Sequence, residues 1–462
     1  MAIRPEREPK GTFPKAVPYI IGNEAAERFS YYGYRSILAT FLVAQFFNPT
    51  NNPALQAKAE AQANEQVHFY VALAYFLPLI GGLVADWFFG KYKVILYVSI
   101  LYCFGHLCLS LFEDNFQLFS VGLVMLAIGA GGIKSSVSAN VGDQFDKSNE
   151  HLMSKVYGWF YFSINAGSVI STALIPWLYA NYGASVAFGV PGILMALATL
   201  IFWLGRKKYV RVPPIGYKRA MQDVEMWKEN IGALGRVLAV FAFVPIFWAL
   251  WDQNLSEWVL QAQKLDRTLW PGFTLLPEQV QTVNPFFILV MIPVFTYAIY
   301  PFFDRRGVKT TPLRRLGTGF VLTALSFVVI AWIQTQVDNG AQPSVWWQIL
   351  AYFILTCGEV MVSITGLEYA YTHAPKAMKS LMTGIWLLTV SVGNLFVSFV
   401  NSSIAGGGFF SRLKGADYFW FFAGLMLANA VVFMLVSLFL KEKKYVGESE
   451  PEAEVPADAK GY

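Results

Sequence analysis

The stretch Glu24-Ala-Ala-Glu27-Arg28-Phe-Ser-Tyr-Tyr-Gly-Tyr-Arg35 carries four charges inside residues 16–47, a segment that is otherwise typical of a membrane-spanning helix. At 3.6 residues per turn these charges recur at steps of three, four and seven residues, so they share one stripe of the helix. A charge at the bilayer centre costs from about 2.5 to more than 10 kcal/mol, so the stripe must face a protein interior or a wet cavity. The pattern predicts a buried polar pathway, with an ion-pair network that only joins helices as the alternative.

The composition indicates a polytopic membrane protein. Of 462 residues, 55% are hydrophobic and 14% are charged, against about 25% charged in ordinary soluble domains. The net charge of +5 comes from Lys and Arg in the loops on one side, which indicates membrane topology rather than nucleic-acid binding. No zinc-protease helix motif or serine-hydrolase elbow is present, and the four His residues form no cluster with ligand spacing. We expect no enzymatic activity.

Twelve apolar segments of membrane-crossing length can be marked along the chain. Numbered in chain order as spans 1 to 12, they are residues 16–47, 67–89, 94–112, 116–141, 153–180, 185–204, 236–262, 283–303, 313–336, 345–372, 378–405 and 416–440. With the amino terminus inside, about 25 Lys and Arg lie in cytoplasmic segments and 5 in external ones. The positive-inside rule therefore predicts that both termini are cytoplasmic.

The long connection after span 6 divides the chain into two six-helix bundles. We predict a first bundle over residues 1–204, a cytoplasmic linker over 205–235, a second bundle over 236–441 and a disordered cytoplasmic tail over 442–462. Within the linker, Met221, Val224, Trp227 and Ile231 predict a short amphipathic helix on the membrane surface.

A weak internal duplication supports this division. After span 2 the chain reads Gly81-Gly82-Leu-Val-Ala-Asp86-Trp-Phe-Phe-Gly90-Lys91, and after span 8 it reads Asp304-Arg305-Arg306-Gly307. The first loop resembles the cytoplasmic signature of the major facilitator superfamily, and the second resembles a degenerate copy of it. Repeated halves with a binding site between them are the architecture of transporters.

Span 4 contains a glycine run followed by a charge, Gly129-Ala-Gly131-Gly132-Ile-Lys134. A phosphate loop needs Gly directly before Lys and a preceding strand, so these small residues instead predict close helix packing. Lys134 is expected either to pair with Glu24 or Glu27 or to contact an anion. Span 10 carries two further acids, Glu359 and Glu368.

Five motifs resemble the proton-coupled oligopeptide transporter family. They are Glu24-x-x-Glu27-Arg28-Phe-x-Tyr-Tyr in span 1, Phe160-Tyr-x-x-Ile-Asn165-x-Gly-Ser in span 5, and Glu368-Tyr followed by Ala374-Pro and Trp386-Leu-Leu. The resemblance covers both halves of the chain. It implies an all-α major facilitator fold of 12 transmembrane helices and import of di- and tripeptides by alternating access, driven by protons without a cofactor.

The resemblance also implies roles for individual residues. Glu24, Glu27 and Arg28 would couple protons, while Arg35 and Asp252 would form an external gate pair. The implied peptide-binding residues, drawn from both halves of the chain, are Arg28, Tyr32, Tyr75, Lys134, Asn165, Trp248, Asn284, Glu368 and Trp386.

The sequence departs from the family pattern in four places. Asp252 stands where many bacterial relatives carry Glu, which shortens the reach toward Arg35, and Ile364 stands where many carry Pro. The 205–235 connection is too short for the two extra spans of many bacterial members. The loop at 337–344 lacks the large external domain of animal members, which favours a bacterial inner membrane.

The sequence thus predicts a monomeric proton-coupled peptide symporter in a cell membrane. One rival is a transporter of the same fold for another small substrate, such as nitrate or a drug, although nitrate carriers of the family lack the Glu-x-x-Glu-Arg pattern. A second rival is a receptor or channel that binds peptide without concentrating it, which the sequence does not distinguish.

Overall fold

The structure, a computed structural model, describes residues 13–48, 53–145, 149, 152–216, 221–222, 224–225, 231–373 and 379–440. These residues are almost entirely helical, with one short hairpin formed by the strands Thr268–Trp270 and Phe273–Thr274. The predicted tail at 442–462 lies outside the described residues, as does most of the predicted amphipathic helix around Trp227.

The first six spans are long helices, of which span 2 ends in the π turn Ala85–Phe89. In order they are Val17–Gln45, Pro53–Val84, Lys91–Leu111, Phe116–Gly142, Met153–Tyr182 and Ala184–Leu204. Two of the tight connections between them pass through glycines with positive φ, Gly90 at 79° and Gly183 at 83°, a conformation that other residues rarely adopt. Antiparallel neighbours therefore follow one another with almost no loop.

The spans of the second half are more often interrupted. Span 7 comprises Ile231–Phe241, Val244–Trp251, the 3₁₀ turn Asp252–Leu255 and Glu257–Ala262. Span 8 comprises the 3₁₀ turn Pro277–Thr282, Val283–Val294, the π turn Phe295–Ile299 and Tyr300–Arg305, and span 10 comprises Val345–Glu359, the π turn Val360–Ile364 and Thr365–His373. Spans 9, 11 and 12 are the single helices Pro312–Asp338, Lys379–Ala405 and Ala416–Ser437. The irregularity of span 10 falls at Ile364, so it forms without the family proline.

Ten helices among the described residues are long and apolar enough to cross a membrane, namely spans 2, 3, 4, 6 and 7 to 12. Spans 1 and 5 fall outside this group, although at 29 and 30 residues they are long enough. Span 1 contains the four charges of the opening stretch. Each of the twelve expected spans thus corresponds to a helical segment.

The predicted start of span 2 at residue 67 is wrong. The helix begins at Pro53, fourteen residues earlier, because the segment before residue 67 is helical although it is too polar to be recognised by hydropathy. This correction places His68 in the interior of a helix rather than near its end.

The hydrophobic core forms two large clusters. One is built from spans 1 to 6 and the other from spans 7 to 12, and Tyr75 packs against both. Glycines allow close approach within and between the halves. A Cβ on Gly131 would lie 2.5 Å from Leu77 Cβ, and one on Gly384 of span 11 would lie 2.6 Å from Leu79 Cδ1 of span 2. The close packing predicted from the glycine run of span 4 is therefore confirmed.

The two duplicated loops are held by local polar contacts. Lys91 Nζ lies 2.9 Å from Asp143 Oδ2 and 4.0 Å from Asp86 Oδ1. In the second loop, the backbone N–H and the hydroxyl of Thr310 donate to Asp304 Oδ1 at 2.8 and 3.0 Å.

The packing of span 11 on span 7 depends on Gly393. A Cβ at this position would lie 2.4 Å from Pro245 O and 2.9 Å from Ala249 N, both of them backbone atoms. We expect Gly393→Ala to lower the free energy of unfolding by about 1–3 kcal/mol, although Ala is the better helix former.

Gly424→Ala in span 12 is the matched control, because a Cβ there meets nothing within 4 Å. Thermal unfolding of the purified variants in detergent should show a lower midpoint for Gly393→Ala and an unchanged or higher one for Gly424→Ala. Equal midpoints would contradict the packing argument.

Candidate functional site

The charged stripe of span 1 forms a buried ion-pair cluster. Arg28 Nε lies 3.1 Å from Glu24 Oε1, and Arg28 Nη2 contacts Glu27 Oε2. All three residues are buried, with exposed fractions of 6% or less. Gly167 of span 5 makes room for them, since a Cβ there would lie 3.0 Å from Ala25 O. The pair of Glu24 and Arg28 has the i, i+4 spacing that favours ion pairs on one helix.

Lys134 does not pair with either glutamate. Its Nζ lies 3.9 Å from the ring centroid of Tyr31 and 3.8 Å from that of Tyr75, and it has no hydrogen-bond partner among the described residues. A cation between aromatic faces gains about 2 kcal/mol or more when desolvated. The expected ion pair does not form because Arg28 already contacts both carboxylates. Lys134 is thus a buried cation with free donors.

Arg35 and Asp252 form a direct ion pair between the two halves. Arg35 Nη2 lies 2.8 Å from Asp252 Oδ1, and both side chains are 1% exposed. Arg35 Nη1 also donates to the Tyr31 hydroxyl at 3.3 Å, and Asn394 Nδ2 of span 11 donates to Asp252 Oδ2 at 2.6 Å. The shorter side chain of Asp252 therefore still reaches Arg35, because the helices approach closely at this depth.

His68 joins the same network, although its sequence context did not single it out. Its Nδ1 lies 2.7 Å from Asn394 Oδ1 and its Nε2 lies 2.9 Å from Ser256 Oγ. Because the Asn394 amide nitrogen donates to Asp252, its oxygen accepts from His68. This network assigns the proton of a neutral imidazole to Nδ1 and makes Nε2 the acceptor of the Ser256 hydroxyl.

The outer part of span 2 carries a stripe of polar residues that contacts the second half. Asn64 Nδ2 donates to Glu257 Oε1 at 2.7 Å, and Lys264 Nζ lies 3.0 Å from Glu60 Oε1. Glu60, Asn64 and His68 of span 2 follow one another at four-residue steps, which places them on one helix face. This four-residue spacing could have identified the polar stripe from the sequence. It was missed because most of the stripe precedes the predicted start of span 2.

In the second half, Asn284 and Glu359 form a polar pair. Asn284 Nδ2 donates to Glu359 Oε2 at 2.9 Å and to Thr356 Oγ1 at 3.0 Å. Tyr32 and Tyr161 of the first half lie close enough to Glu359 to interact with it electrostatically. Glu359 therefore lies within electrostatic range of tyrosines of the first half.

Glu368 lies elsewhere. Its Oε2 is 3.7 Å from Arg315 Nη1, and its side chain is 49% exposed. Nine residues and the π turn Val360–Ile364 separate it from Glu359. The structure places Glu368 beside Arg315, whereas Asn284 contacts Glu359, so the predicted role of Glu368 in substrate binding stays a prediction.

The two predicted tryptophans of the second half contact each other. The ring centroids of Trp248 and Trp386 are 6.0 Å apart, and Trp386 also packs on Phe241 at 5.2 Å. Asn165 of span 5 donates to the carbonyl of Tyr161 in its own helix at 2.9 Å. The arrangement places an aromatic wall in one half and a set of buried cations in the other.

Comparison with protein families finds a match to a model described as the POT family, over residues 92–224 and 215–409. The chain is 37% identical over 373 residues to Peptide transporter family 1 of Drosophila melanogaster, covering 71% of this chain and 49% of that protein. It is 33% identical over 404 residues to Solute carrier family 15 member 2 of Homo sapiens, covering 77% of this chain and 54% of that protein. The chain spans about half the length of the curated relatives it matches.

Solved structures of similar chains extend the comparison to the whole fold. An auto inhibited POT family peptide transporter superposes with a TM-score of 0.85 at 34% identity, covering 95% of this chain and 99% of that one. The POT family transporter PepTSo gives a TM-score of 0.83 at 37% identity, covering 93% and 99%. The predicted all-α major facilitator fold is confirmed.

Breaking the ion pair between Arg35 and Asp252 should lower the free energy of unfolding far more than breaking the pair between Lys264 and Glu60. Asp252→Ala would leave the buried Arg35 without its partner, which typically costs about 3–5 kcal/mol. Glu60→Ala removes a partly exposed pair, whose contribution is about 0–1 kcal/mol. Thermal unfolding in detergent should therefore show a much lower midpoint for Asp252→Ala, and similar midpoints would contradict a dominant role for the buried pair.

Proposed function

The chain belongs to the POT family, and from that premise we propose that it is a proton-coupled symporter that imports di- and tripeptides by alternating access. The observation that carries this proposal is the buried cluster of Glu24, Glu27 and Arg28. It lies in the same half as Lys134, whose ammonium has no hydrogen-bond partner among the described residues, and as Tyr32, which interacts with Glu359. We expect no enzymatic activity and no cofactor, since the proton gradient would drive transport.

The charge arrangement suits both ends of a peptide. A dipeptide carries a carboxylate and an ammonium at nearly constant separation. Arg28 and Lys134 of the first half would bind the carboxylate, with Lys134 free to donate, and an acid of the second half would bind the ammonium. We propose Glu359 for that acid in place of Glu368, because Glu359 interacts with Tyr32 whereas Glu368 is exposed beside Arg315.

The remaining predicted residues would form the walls of the site. Tyr32 and Tyr75 flank the cations, Asn165 and Asn284 supply polar groups, and the paired indoles of Trp248 and Trp386 supply an apolar surface. Aromatic and aliphatic walls bind side chains mainly by burial, with little dependence on their identity. This supports a carrier that accepts many peptides.

Proton coupling would follow from competition for Arg28. Ionised Glu24 and Glu27 both hold its guanidinium, and protonating either glutamate would release donors for the peptide carboxylate. Binding of proton and peptide would then favour each other, as symport requires.

The proposed topology places both termini in the cytoplasm, in accord with the excess of Lys and Arg on that side. The contacts of Arg35 with Asp252 and of Glu60 with Lys264 then lie toward the external face and would close the site from outside.

The short connection from Asn339 to Ser344 supports a bacterial inner membrane rather than an animal one. We further propose that the protein acts as a monomer, since each chain supplies both halves of the site.

The decisive experiment is uptake of dialanine into proteoliposomes under an imposed inward proton gradient. Accumulation above the external concentration, abolished by a protonophore, is the expected result. Binding without accumulation would favour a receptor or channel. Transport of nitrate or a drug with no competition by dialanine would favour a different substrate.

Glu27→Gln should uncouple transport. The substitution keeps the size of the side chain but removes the carboxylate that pairs with Arg28. We expect loss of proton-driven accumulation with retained counterflow of dialanine, because exchange needs no net movement of protons. Asp417→Asn, on an exposed acid at the start of span 12, is the control and should leave both activities unchanged. Equal loss of accumulation and counterflow in Glu27→Gln would indicate a structural role instead.

Glu359→Gln should weaken binding of dialanine far more than binding of N-acetylated dialanine. A charged hydrogen bond contributes about 1.5–3 kcal/mol, so we expect a loss of about tenfold or more for the free peptide. Glu368→Gln is the matched variant and should change neither affinity. Competition binding in detergent measures both ligands, and selective loss in Glu368→Gln instead would restore the assignment made from the sequence.

A further inference from the structure

A groove of about 750 Å³ runs along the surface of the first half between spans 3 and 6. It extends from Leu96 and Trp203 at one end to Ser110 and Gly189 at the other, fourteen residues along each helix. At 1.5 Å per residue this is about 21 Å, whereas half of the hydrocarbon core measures about 15 Å. The groove is thus long enough for a lipid chain of one leaflet.

The two helices meet at the floor of the groove and separate at its rims. At the floor, Gly192 lies against His106, since a Cβ at Gly192 would be 2.6 Å from His106 Cβ. Exposed large side chains, including Phe104, Leu107 and Ile193, form the rims. Small residues below and large apolar residues beside them make a cleft that opens to the surrounding hydrocarbon.

Arg206 marks the end of the groove at Trp203. Its guanidinium carbon lies 3.9 Å from the centre of the Trp203 ring, and its Nη1 donates to the Trp203 carbonyl at 3.3 Å. Arg206 is followed by Lys207 and Lys208, and Arg211 Nη2 donates to the Arg206 carbonyl at 2.6 Å. None of the ion pairs found in the described part of the chain includes a member of this basic cluster.

We propose that this groove binds one anionic phospholipid, whose acyl chain lies between spans 3 and 6 and whose phosphate is held by Arg206. A guanidinium has five N–H donors, and the single bond to the Trp203 carbonyl leaves others for phosphate oxygens. The indole of Trp203 fixes the guanidinium at the depth where tryptophans lie in membrane interfaces. The site is on the membrane-facing surface and is independent of the proposed peptide cavity.

The charge pattern distinguishes this occupant from a second copy of the chain. A protein partner would have to present acidic groups to the basic cluster at the membrane interface while its helix filled the groove. A phospholipid combines an apolar chain and an anionic group in one molecule. Its chain can therefore lie in the groove while its phosphate lies at Arg206. In the proposed topology the lipid belongs to the cytoplasmic leaflet, which carries anionic lipids.

The headgroup is tested by native mass spectrometry of the full chain released from detergent micelles, with palmitoyl-oleoyl phosphatidylglycerol or phosphatidylcholine added at equal concentrations. The wild type should retain one phosphatidylglycerol in preference to phosphatidylcholine. Arg206→Gln should reduce that preference about tenfold or more, because it removes the charged hydrogen bonds to the phosphate. Lys207→Gln, an exposed neighbour that lines no part of the groove, should retain the preference.

The groove itself is tested by a pair of adjacent substitutions. Ala196→Phe fills the groove from an exposed position and should reduce retention of both lipids, whereas Leu197→Phe lies outside the groove and should not. Equal retention of the two lipids by the wild type, or equal loss in Lys207→Gln and Arg206→Gln, would overturn the proposal. So would a dimer that Ala196→Phe disrupts while lipid retention stays the same.

Discussion

The structure depends on burying ionic groups without isolating them. Arg35 and Asp252 are each 1% exposed, and removing such charges from water costs several kcal/mol per ion unless they meet each other and further hydrogen-bonding groups. Asn394, Tyr31 and His68 complete the hydrogen bonding, which brings spans 1, 2, 7 and 11 together at one depth. The pair therefore specifies how the two halves meet.

The two halves contribute different properties to this arrangement. The first half is built of long helices and holds the cations Arg28 and Lys134 in fixed surroundings. The second half has 3₁₀ and π turns in spans 7, 8 and 10, and such turns are frequent where helices bend or carry functional groups. Asp252 begins one of these turns and Glu359 directly precedes another. The acids Asp252 and Glu359 thus lie at irregular turns of the second half, and the first half has such a turn at Ala85–Phe89.

The contacts between the halves form a graded series along span 2. Glu60 and Lys264 are partly exposed, so their attraction is weakened by water, whereas His68 is fully buried. Ser391 continues the series by donating to the Ala72 carbonyl at 2.8 Å. A movement that opened this face would break the weak outer contacts first and would then expose the buried network to water. The rehydration of Arg35 and Asp252 would offset part of the cost of separating them.

The sequence by itself determined the features that arise from short-range periodicity. Glu24 and Arg28 lie four residues apart on one helix, so their pairing follows from helix geometry alone, and the glycine run of span 4 similarly indicated close packing.

The tertiary structure decided which groups meet across helices. Lys134 lies between Tyr31 and Tyr75 because Arg28 contacts both glutamates, a competition that depends on how spans 1, 2 and 4 pack. Glu359 interacts with tyrosines of the first half whereas Glu368 lies beside Arg315, and their spacing did not distinguish them because a π turn lies between the two acids. His68 was missed because hydropathy does not recognise the polar first turns of span 2. Motifs report residue types and spacing along the chain, whereas partners across a membrane bundle depend on the depth and rotation of each helix.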